Sequence, residues 1–313
     1  MLSANSYRPE PKATREKSRD FLDKKKQTSK TRFNIKNDPK VLVHGIVYFL
    51  TSAALIACIC FCTYKIIRWQ AENELVDNEI KTLQAETTIK EIIEVESEPV
   101  VVQKIDSHKV LSGSDPYWSL IKIPLISVDL SSSKAKNNDT AGWIQVPGTN
   151  INYPFVQTNN NDYYLNHSLN RSWSTAGWVF LDYRNNINLS DKNQILYAHG
   201  RIDGSMFGSL ANVLSHDWQQ QTENHVVKIS TEASDSLWQV FSTYRIPVTN
   251  DYIRTEFADE DDFNEFIKMI MSRSSYNFGT SVSYNDRIIT LSTCIGLNDR
   301  VVLHAKLIKI AQK

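Results

Sequence analysis

The chain has 313 residues, and its content of 41 % hydrophobic and 10 % aromatic residues excludes a disordered or collagen-like protein. Its formal net charge is zero, but residues 1–40 carry 12 Lys and Arg against 5 Asp and Glu, whereas residues 69–313 are net acidic. A nucleic-acid-binding protein would carry the basic charge on its folded part, so this distribution indicates a chain that lies in two compartments.

An uncharged apolar run follows the basic N-terminal segment. Residues 41–64 read VLVHGIVYFLTSAALIACICFCTY, and a helix of that length would reach ~36 Å, more than the ~30 Å of a hydrocarbon core. We therefore predict a basic cytoplasmic tail over residues 1–40 and one transmembrane helix over residues 41–64. A cleaved signal peptide is the alternative, disfavoured because the run is long and begins far from the N-terminus. Lys and Arg precede the run, so residues 65–313 are predicted to be extracellular.

The four cysteines divide between the apolar run and the exterior part. Cys58, Cys60 and Cys62 lie in the run, where packing is a simpler role than lipidation or metal binding. Cys294 lies outside and has no second exterior cysteine for a disulfide. A lone thiol outside the membrane is exposed to oxidation, which leaves structural burial or catalysis to explain it.

Residues 65–115 form the next predicted segment, an acidic stalk or linker. From residue 69 it carries 11 Asp and Glu against 4 Lys and Arg. Its first half, through Leu75, Ile80 and Leu83, is compatible with a helical stalk, and its second half, from about Pro99, has the character of a linker.

From residue 116 onward, short β-branched and aromatic runs alternate with Asn, Gly, Pro and Asp clusters, a pattern typical of strands and turns. The predicted strands are Gly142–Val146, Trp178–Leu181, Gln194–Ala198, Val226–Ser230, Leu237–Ile246, Arg287–Thr293 and Val301–Ile310. Four acidic residues begin a predicted helix at 259–273, whose apolar residues recur at helical spacing. Many short strands with one inserted helix favour a closed barrel over a doubly wound sheet, and residues 116–313 are assigned to one mainly β domain.

Three residues at predicted strand ends offer the groups that acyl transfer by a cysteine needs: a thiolate, a proton donor for the leaving amine and a donor to the oxyanion. Cys294 ends one strand, His199 follows another, and Arg300 precedes the last one. If the strands at 287–293 and 301–310 pair, their short connection brings Arg300 near Cys294. Each residue also has an ordinary structural explanation, so the residues alone predict a thiol enzyme outside the membrane and no more.

The remaining histidines in this part carry weaker signals. His304 falls within a strand and is predicted to be structural. The other three, His167, His216 and His225, lie in loops or at strand edges, and the pattern does not exclude a catalytic role for them. No His and Cys spacing fits a zinc site, and no glycine-rich phosphate loop or G-x-S-x-G turn occurs. We therefore predict no metal and no cofactor.

Several ordered segments resemble class B sortases. Leu291-Ser292-Thr293-Cys294 resembles the nucleophile signature of sortases, Arg300-Val301-Val302 the strand after it, and Tyr197-Ala198-His199-Gly200 the histidine segment. The stretch DGSMFGSL, residues 203–210, is similar to the one that follows this histidine in class B. Residues 142–157, 162–167 and 177–185 are also similar to that class. The resemblance covers roughly residues 116–313.

This resemblance implies an eight-stranded barrel with peripheral helices, in which the helix at 259–273 caps the barrel and can also wall the substrate groove. It implies Cys294 as nucleophile, His199 as proton donor and Arg300 as oxyanion donor. Ser292 and Thr293 are expected to contact substrate, with simple packing within the strand as the alternative. The interval from Cys294 to Arg300 is shorter than is common in class B, and Arg287 is the alternative arginine.

The expected function is that of a membrane-anchored cysteine transpeptidase. It would cleave the C-terminal sorting signal of surface proteins through a thioester on Cys294 and pass them to an amine of a cell-wall peptidoglycan precursor or of a pilin. Its expected partners are those proteins, that amine and the membrane, with no nucleic acid. Two alternatives stay open: an extracellular cysteine peptidase, in which water takes the place of the amine, and a non-catalytic surface interaction module.

Overall fold

A computed structural model describes residues 39–92, 102–104, 115–296 and 298–313. The chain divides after Ile67 into two compact units, Met1–Ile67 and Arg68–Lys313. Nearly all of the predicted cytoplasmic tail and most of the predicted linker after residue 92 lie outside the described residues. The boundaries at 1–40, 41–64, 65–115 and 116–313 therefore stay predictions.

The secondary structure of the described residues is mainly β. The helices are α1 Pro39–Glu86, α2 Tyr117–Leu120, α3 Ser131–Lys136, α4 His216–Gln219 and α5 Glu260–Ser272, with 3-10 turns at Tyr163–Leu165, Gly208–Leu214 and Thr222–Asn224. The strands are β1 Ile89–Ile92, β2 Val102–Lys104, β3 Leu125–Val128, β4 Thr140–Gln145, β5 Asn152–Val156, β6 Phe180–Leu181, β7 Asn193–Tyr197, β8 Val226–Thr231, β9 Ser234–Pro247, β10 Ile288–Ile295 and β11 Asp299–Gln312. The seven predicted strands are confirmed, with some ends shifted, and β1, β2, β3 and β5 add to them.

Eight of these strands form a closed barrel, as predicted. Their order around it is β10-β7-β6-β5-β4-β8-β9-β11, and antiparallel pairing of β10 with β11 closes the ring. Two neighbouring pairs are parallel, β7 with β10 and β5 with β6. Strand β2 pairs with β11 beyond the end of β10, and β1 pairs with β3 in a separate sheet. Closure leaves the barrel strands with no long free edge at which other chains could add.

Side chains alternate between the inside and the outside of the barrel, as the two-residue period of a strand requires. On β10 and β11, Ile289, Leu291 and Leu303 belong to the large apolar cluster of the barrel interior. Their neighbours Ile288 and Val302 belong to a second cluster that α5 covers. Strand β10 thus contributes to two cores, and both of its faces are buried from Ile288 to Thr293.

Helix α5 caps the outside of the barrel. It begins after Asp259, whose carboxylate accepts a hydrogen bond from the backbone N–H of Asp262 at 3.0 Å, as an N-cap residue does. The predicted apolar stripe is buried in the second cluster and consists of Phe263, Phe266, Ile267 and Ile270. No residue of α5 is among those that line the groove described below. The capping role is therefore confirmed, and the role of this helix as a wall of the substrate groove stays a prediction.

The part of α1 that belongs to the second unit packs against that unit and does not project freely. Val76, Ile80 and Leu83 are buried in the large apolar cluster, and Leu83 is 1 % exposed. Near the helix end, the side-chain amide of Gln84 donates to the backbone carbonyl of Asn152 at 2.9 Å. Two of the three residues named for the predicted helical stalk, Ile80 and Leu83, are thus part of the core of Arg68–Lys313, whereas the third, Leu75, is 69 % exposed.

The part of α1 in the first unit carries the apolar run. Among the described residues, the chain has one helix that is long and apolar enough to cross a membrane. Large apolar side chains of this part, including Ile46, Phe49, Leu55 and Phe61, are at least half exposed. Exposed apolar side chains on all sides of a helix suit a lipid environment.

Candidate active site

Strands β10 and β11 bring the candidate nucleophile and arginine together. Antiparallel pairing sets Cys294 directly opposite Arg300, one step before the connection between the two strands. Both residues are partly exposed, and the thiol of Cys294 is free. The pairing of the two predicted strands is thus confirmed, and with it the expectation that Arg300 lies near Cys294.

Strand β7 brings the candidate histidine to the same end of the barrel. It runs parallel to β10, so the C-terminal ends of both strands lie side by side, and Tyr197 is in register with Ser292. His199 follows two residues after Tyr197. The hydroxyl of Thr293 donates to the backbone carbonyl of Ala198 at 2.8 Å and ties the two strand ends together next to His199 and Cys294.

The ring of His199 is held by the segment that precedes β6. Its Nε2 lies 2.7 Å from the backbone carbonyl oxygen of Leu165. Because a carbonyl oxygen only accepts hydrogen bonds, Nε2 carries a proton in this contact. The ring edge also packs against Gly177, where an added Cβ would lie 3.1 Å from Cδ2 of His199. These contacts leave Nδ1 as the ring nitrogen available to a bound ligand.

A groove of 750 Å³ runs over these residues. Its lining comprises Asn161, Asp162, Leu165, Phe180, Arg184, Tyr197, Ala198, His199, Asn250, Tyr252, Ile253, Ser292, Thr293, Cys294 and Arg300. All five residues predicted to act in catalysis or substrate binding are in this list. Two guanidinium groups, those of Arg184 and Arg300, and one exposed carboxylate, that of Asp162, line the groove. Its volume lies within the usual range of ligand-binding sites.

The two predicted substrate contacts use their hydroxyls within the protein. Thr293 bonds Ala198 as described, and the hydroxyl of Ser292 lies 2.9 Å from that of Tyr252. Each of the two residues is 4 % exposed. Their position in the groove agrees with the prediction, but a direct contact of either side chain with substrate stays a prediction.

Tyr252 is a groove residue that the sequence analysis missed. It is fully buried, bonds Ser292 and packs in the cluster under α5. Burial raises the pKa of its phenol, against the effects of the Ser292 hydrogen bond and of the nearby charge of Arg300. The phenol therefore stays protonated beside the candidate arginine. It lies in a loop with no pattern, so only its aromatic character between Asp251 and Ile253 could have drawn attention to it.

The other candidates lie away from the groove. Arg287 precedes the opposite end of β10 and donates to the backbone carbonyl of Leu189 at 3.1 Å. His167 stacks on Tyr163, with 4.0 Å between ring centroids. His225 is buried, which lowers its pKa, and its Nε2 lies 3.0 Å from the carbonyl oxygen of Gln219.

His304 has the structural role predicted for it. Its Nδ1 lies 2.9 Å from the hydroxyl of Thr290, and its Nε2 lies 2.8 Å from that of Tyr244. Thr290 in turn donates to the side-chain oxygen of Asn193 at 2.8 Å. A neutral imidazole donates through one nitrogen and accepts through the other, so the network satisfies a fully buried, uncharged ring.

Comparison with known proteins agrees with this geometry. Residues 144–308 match the sequence model of the sortase domain family. Sortase B of Listeria monocytogenes is 35 % identical over 184 residues, which cover 58 % of this chain and 74 % of that protein. A structure of the Staphylococcus aureus sortase B–substrate complex is similar with a TM-score of 0.54 and 33 % identity, over 57 % of this chain and 84 % of that one. A Bacillus anthracis protein described as similar to sortase B gives a TM-score of 0.53 and 37 % identity, over 57 % and 82 % of the two chains.

Proposed function

Because this chain belongs to the sortase family, whose members are cysteine transpeptidases acting on sorting-signal substrates, we propose that it joins surface proteins to a cell-wall or pilin amine from the outer face of a membrane. The observation that carries the proposal is the strand register at one end of the barrel. It pairs Cys294 with Arg300 and ends the adjoining strand β7 two residues before His199, in a single groove.

In the first half of the reaction, a sorting signal lies extended in the groove. The thiolate of Cys294 attacks the carbonyl carbon of the scissile peptide bond, and the guanidinium of Arg300 stabilises the oxyanion that forms. The C–N bond then breaks, and a thioester remains on Cys294. His199, as an imidazolium, gives its Nδ1 proton to the departing amine, since its Nε2–H is engaged by Leu165.

In the second half, an amine from a peptidoglycan precursor or a pilin attacks the thioester. The incoming amine loses a proton to Nδ1 of His199, and the thiolate of Cys294 leaves as the new amide bond forms. His199 and Cys294 thus act in reverse order in the second half of the reaction, as expected of a transpeptidase. Ser292 and Thr293 flank the nucleophile on β10 and are proposed as substrate contacts.

The location proposed for this reaction follows from the N-terminal half of the chain. Helix α1 is long and apolar enough to span a membrane, and the residues before it are strongly basic. Positive charge before a span favours a cytoplasmic N-terminus. The catalytic unit would then be extracellular. Protease treatment of intact cells that express the full chain should remove the catalytic unit; its complete protection would contradict this orientation.

The experiment that tests the activity uses residues 69–313 with a panel of sorting-signal peptides and triglycine as the amine, read by mass spectrometry. We expect a thioester mass on Cys294 and an amine-ligated product, both absent from Cys294→Ala. A product ended only by water would favour the peptidase alternative. Unchanged cleavage by Cys294→Ala would contradict both enzymatic assignments.

A further inference from the structure

A second guanidinium besides that of Arg300 lies in the groove, and the reaction described above does not use it. Arg184 follows β6, and its side chain is 37 % exposed. Its Nε donates to Oδ1 of Asp182 at 2.9 Å and its Nη2 to Oδ2 at 2.7 Å. This fork-to-fork pairing fixes the plane of the guanidinium, which a lysine at this position could not reproduce.

The carboxylate that holds Arg184 is fully buried and holds two further groove residues. Oδ2 of Asp182 also accepts from the hydroxyl of Tyr197 at 2.9 Å and from the side-chain amide of Asn161 at 3.1 Å. Burial favours the protonated form of Asp182, but the hydrogen bonds from Arg184 and Tyr197 outweigh it, so its pKa lies below the ordinary value. Asp182 therefore stays charged and orients three side chains that line the groove.

The guanidinium of Arg184 keeps donors for a ligand. An arginine side chain has five N–H groups, and two of them bond Asp182. The other three have no hydrogen-bond partner within the part of the chain that the structure describes, and the group is exposed enough to be reached from the groove. Donors held in a fixed orientation by a buried acid suit an acceptor oxygen on a bound peptide.

We propose that Arg184 is a specificity-determining residue, which binds a side-chain oxygen (a carboxamide or a carboxylate) of the sorting signal, and that Asp182 is the positioning residue that orients it. The inference rests on the proposed function. Strand β6 is the second neighbour of β10 in the barrel, about 10 Å away across the sheet. It runs antiparallel to β10, and Asp182 bonds Ile195, which is in register with Thr290, so Asp182 lies about 13 Å before Cys294 along the strand direction. The contact is therefore to a residue of the signal several positions away from the attacked carbonyl.

The test is a coupling experiment on the full chain in detergent micelles. The best peptide of the panel is replaced by Ala at each position in turn, and kcat/KM for the amine-ligated product is measured with wild type and with Arg184→Gln. We expect the variant to lose about 10- to 100-fold on the parent peptide, as for a hydrogen bond to a charged group. On the peptide that lacks the contacted side chain, the same variant should lose less than about 3-fold.

Two further variants separate this contact from a general weakening of the fold. Arg254→Gln removes a bidentate arginine–aspartate pair of equal exposure that does not line the groove, since Arg254 bonds both oxygens of Asp262 and is 37 % exposed. Its effect should be the same for every peptide. Asp182→Asn should couple to the same peptide position as Arg184→Gln, with a smaller loss because Arg184 remains.

Equal losses across all peptides with Arg184→Gln would overturn the inference, because a structural role affects every substrate alike. If Arg184→Gln does not fold, Arg184→Lys is measured instead, because it keeps the charge beside Asp182. A loss of kcat/KM specific to one peptide position would support the contact, and an equal effect on all peptides would contradict it. If wild type gives no amine-ligated product from any peptide, the proposed function fails, and this inference fails with it.

Discussion

Gly200 lies against the backbone of Cys294 so closely that a Cβ on Gly200 would stand 1.7 Å from the Cys294 carbonyl oxygen. The same Cβ would lie 3.0 Å from the hydroxyl of Thr293, which bonds Ala198. The residue after the candidate histidine thus touches the candidate nucleophile through backbone atoms alone. Only glycine permits this approach, so the sequence His199-Gly200 sets the spacing between the candidate histidine and the candidate nucleophile.

Gly200→Ala should therefore separate His199 from Cys294. The methyl group meets backbone atoms that cannot turn away as a flexible side chain can, and overpacking of this kind costs about 1–3 kcal/mol. We expect Tm to fall by several degrees and kcat/KM to fall about 100-fold, since a displacement of about 1 Å at reacting groups has effects of that size. Both quantities can be measured on residues 69–313.

Gly279→Ala is the matched control for this variant. Gly279 has a φ of +65°, which strains any other residue, but the nearest atom to an added Cβ lies 3.6 Å away. Tm should fall here as well, while kcat/KM of the folded protein stays within about 2-fold of wild type, since the residue does not line the groove. Full activity of Gly200→Ala would show that the histidine loop moves aside without consequence.

The two candidate arginines predict opposite phenotypes. Arg300→Gln should lower kcat/KM about 100- to 1,000-fold, the usual effect of removing one oxyanion donor. Arg287→Gln should change kcat/KM by less than about 3-fold and reduce Tm, because Arg287 lies at the far end of β10 and bonds Leu189. Exchange of these two results between the variants would transfer the catalytic assignment to Arg287.

Much of this site could be predicted because its residues end strands. A side chain at a strand end is presented at the rim of a barrel, and that criterion singled out Cys294, His199 and Arg300. Applied consistently, it would also have found Asp182, which directly follows Phe180–Leu181. Asp182 was missed because an acid after a short apolar run with an arginine two positions on is an ordinary surface pattern; its other partners, Tyr197 and Asn161, are 15 and 21 positions away.

Other features of the fold could not be predicted from sequence patterns, for physical reasons. Strand β5 contains Pro154, which lacks a donor and normally argues against a strand inside a sheet, yet the structure pairs it with Trp143. The helical segment after residue 68 is acidic, as an exposed stalk would be, and its three buried residues are too few to distinguish a docked helix from a free one. Whether such a stripe finds a partner depends on tertiary contacts that periodicity does not report.

The docked part of α1 gives a prediction about stability. Leu83 is 1 % exposed in the large apolar cluster, whereas Leu75 on the same helix is 69 % exposed. Leu83→Ala should destabilise residues 69–313 by about 2–5 kcal/mol, and Leu75→Ala by less than about 0.5 kcal/mol. Urea unfolding followed by tryptophan fluorescence would measure both. Equal, small effects would mean that this segment is a free stalk in solution.

Acid sensitivity of the fold should depend on His304. Burial lowers the pKa of this fully buried histidine to about 3, whereas in the unfolded chain it is about 6.5. Below pH 6.5 the unfolded chain therefore binds a proton at this residue that the folded chain does not bind. The free energy of unfolding then falls by up to ~1.4 kcal/mol per pH unit until about pH 3. His225, whose pKa burial also lowers, adds to this decline.

His304→Gln removes one of these two histidines and keeps a donor and an acceptor for Thr290 and Tyr244. We expect the variant to be less stable at pH 7.5 but to lose about 2 kcal/mol less than wild type between pH 7.5 and pH 5, as measured by urea unfolding at each pH. Parallel pH profiles for the two proteins would show that His304 takes up a proton in the folded state, and the assignment of a neutral ring would be wrong.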